Sequence, residues 1–474
     1  MTPTQARVLE HATASPPVGE PGAFRDPGGT PGRDLGQLLR GHLAGALTVI
    51  LRNWVAAVFS VSALFAAITA LVTFNPPERL WGELAAVSYA ASAVIAAVAR
   101  RRGAALAVLV SLAGALLAPL AWMALTRLGQ PEVYVIIRSA KMLVHTGTPY
   151  ASPAALAAAH NWMAYDPYLP ALVVFGVPRA LGGGLVTDPR IWFGAAFVIT
   201  FGAALRVARV PRPAWWTLLV IVSPVVALPL AVGGDDLPVL GLACLGLALA
   251  DRVVPARRSD PAYQWCWPVA AGLALGLAAA MKATAWPALA VVLILLARRG
   301  GWRAIGWFTM AVTGVVVATD VPVVAANPAA TVANTILYPL GLTKVTSPAA
   351  SVLPGHILAG VGTWGHLAAL TLMAAAGAGV AMSLIIRPPE NAQAAGWRLV
   401  LGLTLLFGLA PASRVGYFVY PLGLAACLLL LRTATSGHLG GRAGRPEDAA
   451  GRAPEPSVDP IPALGRAAVP QVHD

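Results

Sequence analysis

Apolar runs long enough to cross a lipid bilayer recur from Trp54 to Leu431, with little polar sequence between them. A helix needs about 20 mostly apolar residues to span the hydrocarbon core. Only 11% of the residues are charged and 57% are hydrophobic, whereas soluble domains carry roughly a quarter charged residues. The sequence therefore predicts an all-α, polytopic bundle of transmembrane helices with about 12 spans, in a range of about 11–13.

The two ends of the chain differ in composition from its middle. Residues 1 to about 50 are rich in Pro, Gly and Arg and hold few large apolar side chains, so they cannot bury a core. The sequence from about Thr433 repeats this composition. We expect disordered cytoplasmic tails at 1–50 and 433–474 around one membrane domain at 51–432. The charged stretch before the first apolar run also speaks against a cleavable signal peptide.

Arginines cluster in alternate connections of the predicted bundle, and the positive-inside rule places those connections in the cytoplasm. The clusters lie at 100–102, 206–212, 252–258, 298–303 and in the C-terminal tail. The expected spans are 54–74, 84–99, 104–125, 190–206, 214–232, 237–250, 267–281, 284–298, 304–326, 363–386, 397–412 and 415–432. Sidedness is consistent only if an apolar stretch at 167–184, rich in Pro and Gly, is broken or re-entrant. The alternative is a wrong sidedness nearby.

Several classes of function are disfavoured by what the sequence contains. The net charge of +13 follows from cytoplasmic arginines, and no basic run interleaved with aromatics predicts nucleic-acid binding. Cys244, Cys266 and Cys427 have no metal-ligand spacing and are interpreted as packing residues. Without a Gly-rich phosphate loop, no nucleotide-sugar site is expected.

Residues 130–150 predict an amphipathic helix in the first long outer loop. Pro131 suits its start and Gly147 its end. Glu132 has two interpretations: a first-turn acid facing the helix dipole, or a carboxylate that takes a proton from an acceptor hydroxyl. At 100° per residue the apolar face holds Val133, Ile136, Ile137, Ala140, Leu143 and Val144, and the polar face holds Tyr134, Arg138, Lys141 and His145.

Two further outer segments contain acids. Tyr165 is typical of an interfacial anchor, and Asp166, which precedes a proline, is either a second candidate base or a helix-entry residue. In the Gly233–Pro238 turn, Asp236 suits a helix N-cap, which leaves Asp235 unexplained and functional by default at membrane depth. Two acids alone are weak support for a metal ion, so no cofactor is predicted.

Several cations on the predicted outer side are exceptions to the positive-inside rule. Lys282 interrupts about 32 apolar residues, whose length of about 48 Å as one helix exceeds a bilayer core. It either snorkels to the interface or faces the phosphate of a lipid headgroup. Arg414 lies in another outer turn, beside Tyr417. Lys344 and the weaker candidate His356 lie in the outer loop at 327–362.

The order of these elements resembles the C-type, polyprenyl-phosphate-sugar-dependent membrane glycosyltransferases, in the branch of actinobacterial α-mannosyltransferases and arabinofuranosyltransferases. The resemblance covers roughly residues 126–425. It is carried by an acid and Tyr before a helix that ends in Gly-x-Pro-Tyr, then Tyr-x-Pro, a Gly and acid turn, and Lys-Ala-Thr-Ala-x-Pro at Lys282. The matching residues are Glu132, Tyr134, Gly147, Pro149, Tyr150, Tyr165, Pro167 and Lys282.

The resemblance implies an inverting transfer of a sugar from a polyprenyl-phosphate donor to a glycan or glycolipid acceptor at the outer face of a bacterial cytoplasmic membrane. It implies Glu132 as base, with Asp235 or Asp236 as alternatives, and Lys282 and Arg414 on the lipid phosphate. The substrate is expected near Tyr134, Arg138, Lys141, Tyr150, Tyr165, Asp166, Lys344, His356 and Tyr417. The family usually has Asp at the position of Glu132, and commonly one span before the loop where this chain has additional ones.

Two other classes stay open at this point. A transporter or flippase of lipid-linked envelope intermediates would also contain broken helices and ions at membrane depth, although no inverted repeat is visible in the sequence. A catalytically inactive relative with a role in assembly fits the replacement of Asp by Glu.

Overall fold

The computed structural model describes residues 53–254, 264–340, 342–345, 349 and 351–440. The chain divides at Trp54 into two units, and the following concerns the second, Val55–Asp474. Regular structure among the described residues is helical throughout, as predicted. The α-helices are α1 Trp54–Val72, α2 Pro76–Val98, α3 Arg100–Ser111, α4 Ala118–Thr126, α5 Pro131–Thr146, α6 Pro153–Ala159, α7 Pro170–Val173, α8 Val177–Leu181, α9 Pro189–Val207, α10 Pro213–Ile221, α11 Pro224–Val232, α12 Leu237–Asp251, α13 Cys266–Met281, α14 Trp286–Thr319, α15 Val321–Ala326, α16 Pro328–Val332, α17 Pro354–Ala359, α18 Thr363–Ile386, α19 Ala392–Leu409 and α20 Val419–Gly440. Short 3-10 or π-helical turns are Leu112–Leu117, Trp162–Ala164, Val174–Gly176, Leu185–Thr187, Ala283–Ala285, Ala333–Leu337 and Val415–Phe418.

Eight helical stretches among the described residues are long and apolar enough to cross a membrane, and the pair α10 and α11, bent by 62°, makes a ninth if it counts as one span. The eight are Trp54–Val72, Pro76–Val98, Gly103–Thr126, Pro189–Val207, Ala283–Ala326, Thr363–Ile386, Ala392–Leu409 and Val415–Arg432. Large apolar side chains point outwards along them, as on a surface that faces lipid. The chain is therefore a multi-pass membrane protein, while the predicted number of about 12 spans is not confirmed.

Three predicted segments differ from simple spans. The stretch Trp286–Thr319 (α14) consists of two helices that meet at a break at Gly301, where φ is +67° and ψ is −162°, between the expected spans at 284–298 and 304–326. The stretch at 167–184 contains the short helices α7 and α8 around a 3-10 turn, and this helical part, Pro170–Leu181, is shorter than the spans above. The predicted tail at 1–50 lies outside the described residues, as does the predicted tail at 433–474 from residue 441 onwards, while α20 continues to Gly440 through the first part of that tail.

Helix α12 is the central element of the bundle. All but two of its residues are buried, because it contacts α9, α13, α14, α19 and α20 on its different sides. Its sequence permits this, since it is apolar on every face until Asp251. At that carboxyl end Asp251 accepts a hydrogen bond from Arg299. The amino end directly follows the Gly233–Asp236 turn, so the acids of this turn stand on the most buried helix of the protein.

Helix α5 begins at Pro131 and ends before Gly147, whose φ is +75°, as the sequence predicts. The predicted apolar face is buried at Val133, Ile136 and Ala140, whereas Val144 is exposed. Val135 and Ser139 are buried as well, and the Glu132 side chain is 14% exposed. Residue 176 is a glycine because a Cβ there would lie 2.6 Å from the carbonyl oxygen of Ile136. The stretch at 167–184 can therefore pack closely on α5, which turns Glu132 inward.

Close packing of α13 on α14 depends on Gly272 in the same way. A Cβ at this position would lie 2.6 Å from the carbonyl oxygen of Phe308 and 2.8 Å from the Cβ of Ala311. We expect Gly272→Ala to reduce the free energy of unfolding by about 1–3 kcal/mol, because backbone atoms must move apart.

The matched control is Gly377→Ala in α18, where no atom lies within 4 Å of the added Cβ. That change should be neutral or stabilise by up to about 1 kcal/mol through helix propensity. Apparent melting temperatures of both variants in one detergent make the comparison. Equal melting temperatures would contradict the predicted contact between α13 and α14.

Candidate active site

A short turn between α11 and α12 presents two adjacent acids. Gly234 has a φ of +86°, a conformation that glycine adopts without steric cost. Gly233 passes so close to Gln130 that a Cβ would lie 2.9 Å from its Oε1 atom. Asp235 is 5% exposed, and Asp236 occupies the N-cap position of α12 without a capping hydrogen bond from its side chain. The capping role predicted for the Asp236 carboxylate is therefore wrong, and the carboxylate is directed elsewhere.

Lys282 is the partner of both acids. Helix α13 ends at Met281, and the extended backbone of Lys282 (φ −152°, ψ 140°) separates it from the next helical turn. The Nζ atom lies 2.8 Å from Asp235 Oδ2 and also donates a hydrogen bond to Asp236 Oδ1. The residue is only 7% exposed. Snorkelling to the interface, one of the two interpretations from the sequence, is thereby contradicted.

Two tyrosines complete the surroundings of this ion triplet. Tyr420 Oη donates to Asp236 Oδ1 at 2.8 Å, and itself accepts a hydrogen bond from Thr284 Oγ1 at 3.0 Å. The ring of Tyr168 lies 4.7 Å from Lys282 Nζ, within the range of a cation–π interaction. An ammonium group has three N–H donors. Two carboxylates and an aromatic face therefore surround Lys282, although Asp235 Oδ2 pairs with it by charge and accepts no hydrogen bond among the described residues.

Glu132 and Arg414 form a second ion pair, which is more open than the first. Arg414 Nη1 donates to Glu132 Oε1. The other carboxylate oxygen, Oε2, is buried and has no hydrogen-bond partner among the described residues. The Arg414 side chain is 30% exposed, and the contacts of the described residues show a hydrogen bond only from its Nη1. Each partner thus keeps hydrogen-bonding capacity that is available to a bound ligand.

The loop that carries Arg414 is fixed by a histidine. The ring of His356, in α17, makes a hydrogen bond of 2.8 Å through Nδ1 to the carbonyl oxygen of Pro411. His356 was a weak candidate for substrate binding, and its observed contact is to this loop. Tyr417 packs on Phe407, with the ring centroids 5.4 Å apart, and lies within electrostatic range of Lys282 and Arg414.

The charges of the two ion pairs act on one another. Burial raises the pKa of Glu132, Arg414 lowers it, and Asp235 raises it again. Burial also raises the pKa of Asp236, against the effect of Lys282. For Lys282, burial alone would lower the pKa, but Asp235 and Asp236 outweigh it and hold the pKa well above its usual value. Three carboxylates therefore share two cations in one weakly solvated cluster.

Several residues predicted to bind substrate contact the loop that carries Tyr168. Arg138 donates to the carbonyl oxygens of Met163 and Tyr165, the latter at 3.2 Å. The Tyr165 ring stacks on Tyr338 with centroids 4.4 Å apart. Tyr150 Oη donates to the carbonyl oxygen of Tyr168 at 2.7 Å. These contacts hold the ring of Tyr168 in place over Lys282.

Asp166 lies in the same loop and is 1% exposed. Its Oδ1 accepts a hydrogen bond from the Tyr168 N–H at 3.0 Å, and its own N–H donates to Asn334 Oδ1 at 2.9 Å. Burial raises the pKa of Asp166 to about 6, against the effects of Ser139, the Tyr168 N–H and Arg138. The buried side chain of Asp166 therefore supports the loop from inside the protein. Its alternative role as a base stays a prediction.

The remaining predicted residues are not brought into the cluster by any contact. Tyr134 is 39% exposed and donates to the carbonyl oxygen of Arg127 at 2.7 Å, and both Lys141 and Lys344 are exposed. Conversely, Tyr168 and Tyr420 belong to the cluster but were not selected from the sequence, because a tyrosine at a membrane interface is ordinarily an anchor. The described residues contain no group of three or more His, Cys, Asp and Glu side chains suited to a metal ion.

We expect the ion triplet to stabilise the fold in a way that depends on pH. In Lys282→Met the two buried carboxylates lose their cation, and breaking a buried pair in this way costs about 3–5 kcal/mol. The loss of stability should be smallest at acid pH. A carboxyl whose folded-state pKa is raised contributes stability below its unfolded pKa of about 4. This contribution is lost as the pH rises through the folded-state pKa.

Melting of detergent-solubilised protein at several pH values measures this effect. Lys344→Met, at an exposed lysine, is the matched control and should melt like the wild type. A Lys282→Met protein with unchanged melting at neutral pH would show that the triplet does not stabilise the fold.

Comparisons with known proteins give one structural likeness. No protein-family model and no curated protein matches the sequence. The fold is similar to the crystal structure of ArnT from Cupriavidus metallidurans in the apo state, with a TM-score of 0.42 and 16% sequence identity. The likeness covers 66% of this chain and 57% of that chain.

Proposed function

We propose that the protein is a membrane glycosyltransferase of the C-type class that moves a mannose- or arabinose-like sugar, with inversion, from a polyprenyl-phosphate donor to a cell-envelope glycan or glycolipid. The actinobacterial mannosyltransferase and arabinofuranosyltransferase branch is the part of the class that the sequence resembles. The observation that carries the proposal is the contact of Glu132 with Arg414, in which an acceptor atom and several donor groups remain unused.

Glu132 suits the role of general base by its position and its environment. Its Oε2 atom is buried and free of hydrogen bonds among the described residues, so an acceptor hydroxyl can donate to it. Burial raises the pKa of this carboxyl towards the operating pH, where general bases are most effective. Asp235 and Asp236 are less suited, because the side chain of their cation partner Lys282 is only 8% exposed, whereas that of Arg414, the partner of Glu132, is 30% exposed.

Arg414 suits the role of the group that binds the departing lipid phosphate. A guanidinium offers five N–H donors in a plane, and one of them is used here, by Glu132. Guanidinium–phosphate contacts are strong and geometrically specific. Lys282 was predicted for the same role, which stays a prediction. Its contacts favour an indirect effect, in which it holds Asp235 and Asp236 and adds positive potential next to Glu132.

The proposed reaction is a single displacement. The acceptor hydroxyl oxygen forms a bond to the anomeric carbon while its proton passes to Glu132 Oε2. The bond from the anomeric carbon to the phosphate oxygen breaks, and the polyprenyl phosphate leaves with the electron pair, stabilised by Arg414. Because attack and departure occur on opposite sides of the anomeric carbon, its configuration is inverted. The Glu132 carboxyl then releases its proton to solvent.

The arrangement of charges along the bundle supports an outward-facing site in a bacterial cytoplasmic membrane. The acids lie at the amino end of α12, and Asp251 with Arg299 lies at the other end. Arg206 lies in the last turn of α9, whose first turn lies at the level of the site. Arginines at the ends opposite the site agree with a cytoplasmic location for those ends.

We expect Glu132→Gln to lower the rate of sugar transfer by about 10²–10⁴-fold, the usual contribution of a general base. The assay follows transfer from polyprenyl-phosphate-linked mannose and arabinose donors in membrane fractions. Glu83→Gln is the matched control, since Glu83 is exposed and pairs with Arg79 on the surface of α2. Its rate should equal that of the wild type.

The same assay separates the alternatives. Unaltered transfer in Glu132→Gln would disprove the assignment of the base while leaving the enzyme class intact. Absence of transfer by the wild-type protein with every donor would favour a transporter or flippase of lipid-linked intermediates, or a catalytically inactive relative.

Arg414→Gln should affect the pH dependence as well as the rate. Loss of an electrostatic contact to the leaving group predicts a decrease of about 10²-fold. Arg414 lowers the pKa of Glu132, so its removal raises that pKa and the unprotonated base appears only at higher pH. The acidic limb of the pH profile of kcat/KM should therefore move to higher pH. A movement in the opposite direction would show that Glu132 does not act as the base.

A further inference from the structure

Two backbone segments run side by side behind the active site and end at its acids. One leads through residues 128–131 to Glu132, and the other leads through residues 231–234 to Asp235. A backbone hydrogen bond of 2.7 Å from the Gln130 N–H to the carbonyl oxygen of Val232 joins them. The distance between Glu132 and Asp235 is therefore set by how these two segments are held together.

Arg190, in the first turn of α9, is the side chain that holds both segments. Its Nη1 atom donates to the carbonyl oxygen of Leu128 at 3.0 Å and to that of Ala231 at 2.8 Å. Leu128 precedes Glu132 by four residues, and Ala231 precedes Asp235 by four residues. One nitrogen atom thus connects equivalent points of the two segments. The residue is 1% exposed, so water does not compete for these bonds.

Asp188 fixes the orientation of the Arg190 guanidinium. Arg190 Nε donates to Asp188 Oδ1 at 2.9 Å, and Nη2 donates to Asp188 Oδ2 at 2.8 Å. The Oδ1 atom also accepts a hydrogen bond from the backbone N–H of Arg190 at 3.0 Å, as the N-cap of α9. Because a guanidinium is planar, this two-point contact directs Nη1 at both carbonyl oxygens. A lysine can supply the charge but not this fixed geometry.

A buried ion pair of this kind is weak support for stability, since the loss of hydration offsets much of the attraction between the charges. The contacts of Arg190 suggest a geometrical role instead. Four of its five N–H donors have acceptors, and two of these acceptors belong to the segments that carry the acids. Gln130 Nε2 donates to Glu78 Oε1 at 2.7 Å, which connects the first segment to α2.

We propose that Arg190, oriented by Asp188, is a positioning residue that sets the spacing between Glu132 and Asp235. Its effect on catalysis rests on the proposed function of these acids, but its effect on the geometry of the site does not. The pair touches neither Glu132 nor Asp235 and acts through the backbone alone.

The protonation of Glu132 reports on this spacing. The charged or titratable groups that face Glu132 are Arg414, Asp235, Lys282, Tyr168 and Tyr417. When the two segments separate, Asp235 moves away from Glu132 and water enters between them. Both changes favour the charged carboxylate, so both lower the pKa of Glu132. Global destabilisation would not alter this pKa in the molecules that remain folded.

The test uses Arg190→Lys in native membranes that contain the full chain. Dicyclohexylcarbodiimide reacts with protonated carboxyls in apolar surroundings, and mass spectrometry of the peptide that contains Glu132 gives the labelled fraction at each pH. We expect the midpoint of labelling to move to lower pH by about one unit. Arg179→Lys is the matched control, because Arg179 also donates to a backbone carbonyl, that of Gly184, away from the cluster. Its midpoint should equal that of the wild type.

An unchanged midpoint in folded Arg190→Lys would overturn the proposal. If this variant does not accumulate in membranes, Asp188→Asn replaces it, because the amide oxygen can keep one of the two guanidinium contacts. A smaller shift in the same direction is then expected, and no shift would overturn the proposal.

Sugar transfer by the same membranes distinguishes the failure of this inference from the failure of the proposed function. If the wild type transfers sugar, Arg190→Lys should lower kcat by about 10-fold or more with little change in KM, because the base is misplaced while substrate contacts remain. If the wild type transfers no sugar but labelling of Arg190→Lys shows the shift, the proposed function is rejected and the positioning role is supported. If the wild type transfers sugar but labelling of Arg190→Lys equals that of the wild type, the proposed function is supported and the positioning role is rejected.

Discussion

The contact of Lys282 with Asp235 and Asp236 is the interaction on which the arrangement of this protein depends. Charges taken out of water are costly unless each finds a partner of opposite sign, and these three lie at the ends of two buried helices. Asp235 and Asp236 precede α12, and Lys282 directly follows α13. The contact therefore fixes the relative height of α12 and α13. Through Tyr420, which donates to Asp236, it fixes α20 as well.

The second ion pair differs from the first in its exposure. The side chains of Lys282 and Asp235 are only 8% and 6% exposed, so the triplet is enclosed by protein, although Asp235 Oδ2 has no hydrogen-bond partner among the described residues. Glu132 keeps a free carboxylate oxygen and Arg414 keeps free N–H donors on a partly exposed side chain. A site that binds a ligand needs an open cluster to receive it and a rigid cluster to hold the geometry. The rigid part matters because preorganised charge is effective only when the surrounding groups do not relax.

The sequence could identify much of this site because charge is rare in it. Glu132, Asp235, Lys282 and Arg414 stand out as ionic residues on the predicted outer side, and the helix bounds at Pro131 and Gly147 follow from local backbone preferences. The pairing could not be predicted, because Arg414 and Glu132 are separated by 282 positions and hydropathy contains no information on which helix ends meet. The capping interpretation of Asp236 failed because tertiary partners, Lys282 and Tyr420, outweighed a local preference.

The number of spans was not predictable for a related physical reason. Hydropathy measures how apolar a helix is, and not whether lipid or protein surrounds it. Helices α12 and α13, of 15 and 16 residues, are shorter than a bilayer core requires, and α12 is enclosed by its neighbours. A short helix surrounded by protein can end within the depth of the membrane, because its exposed backbone groups then face side chains instead of lipid. Such an end gives the acids before α12 a weakly solvated position that residues beyond the membrane surface would not have.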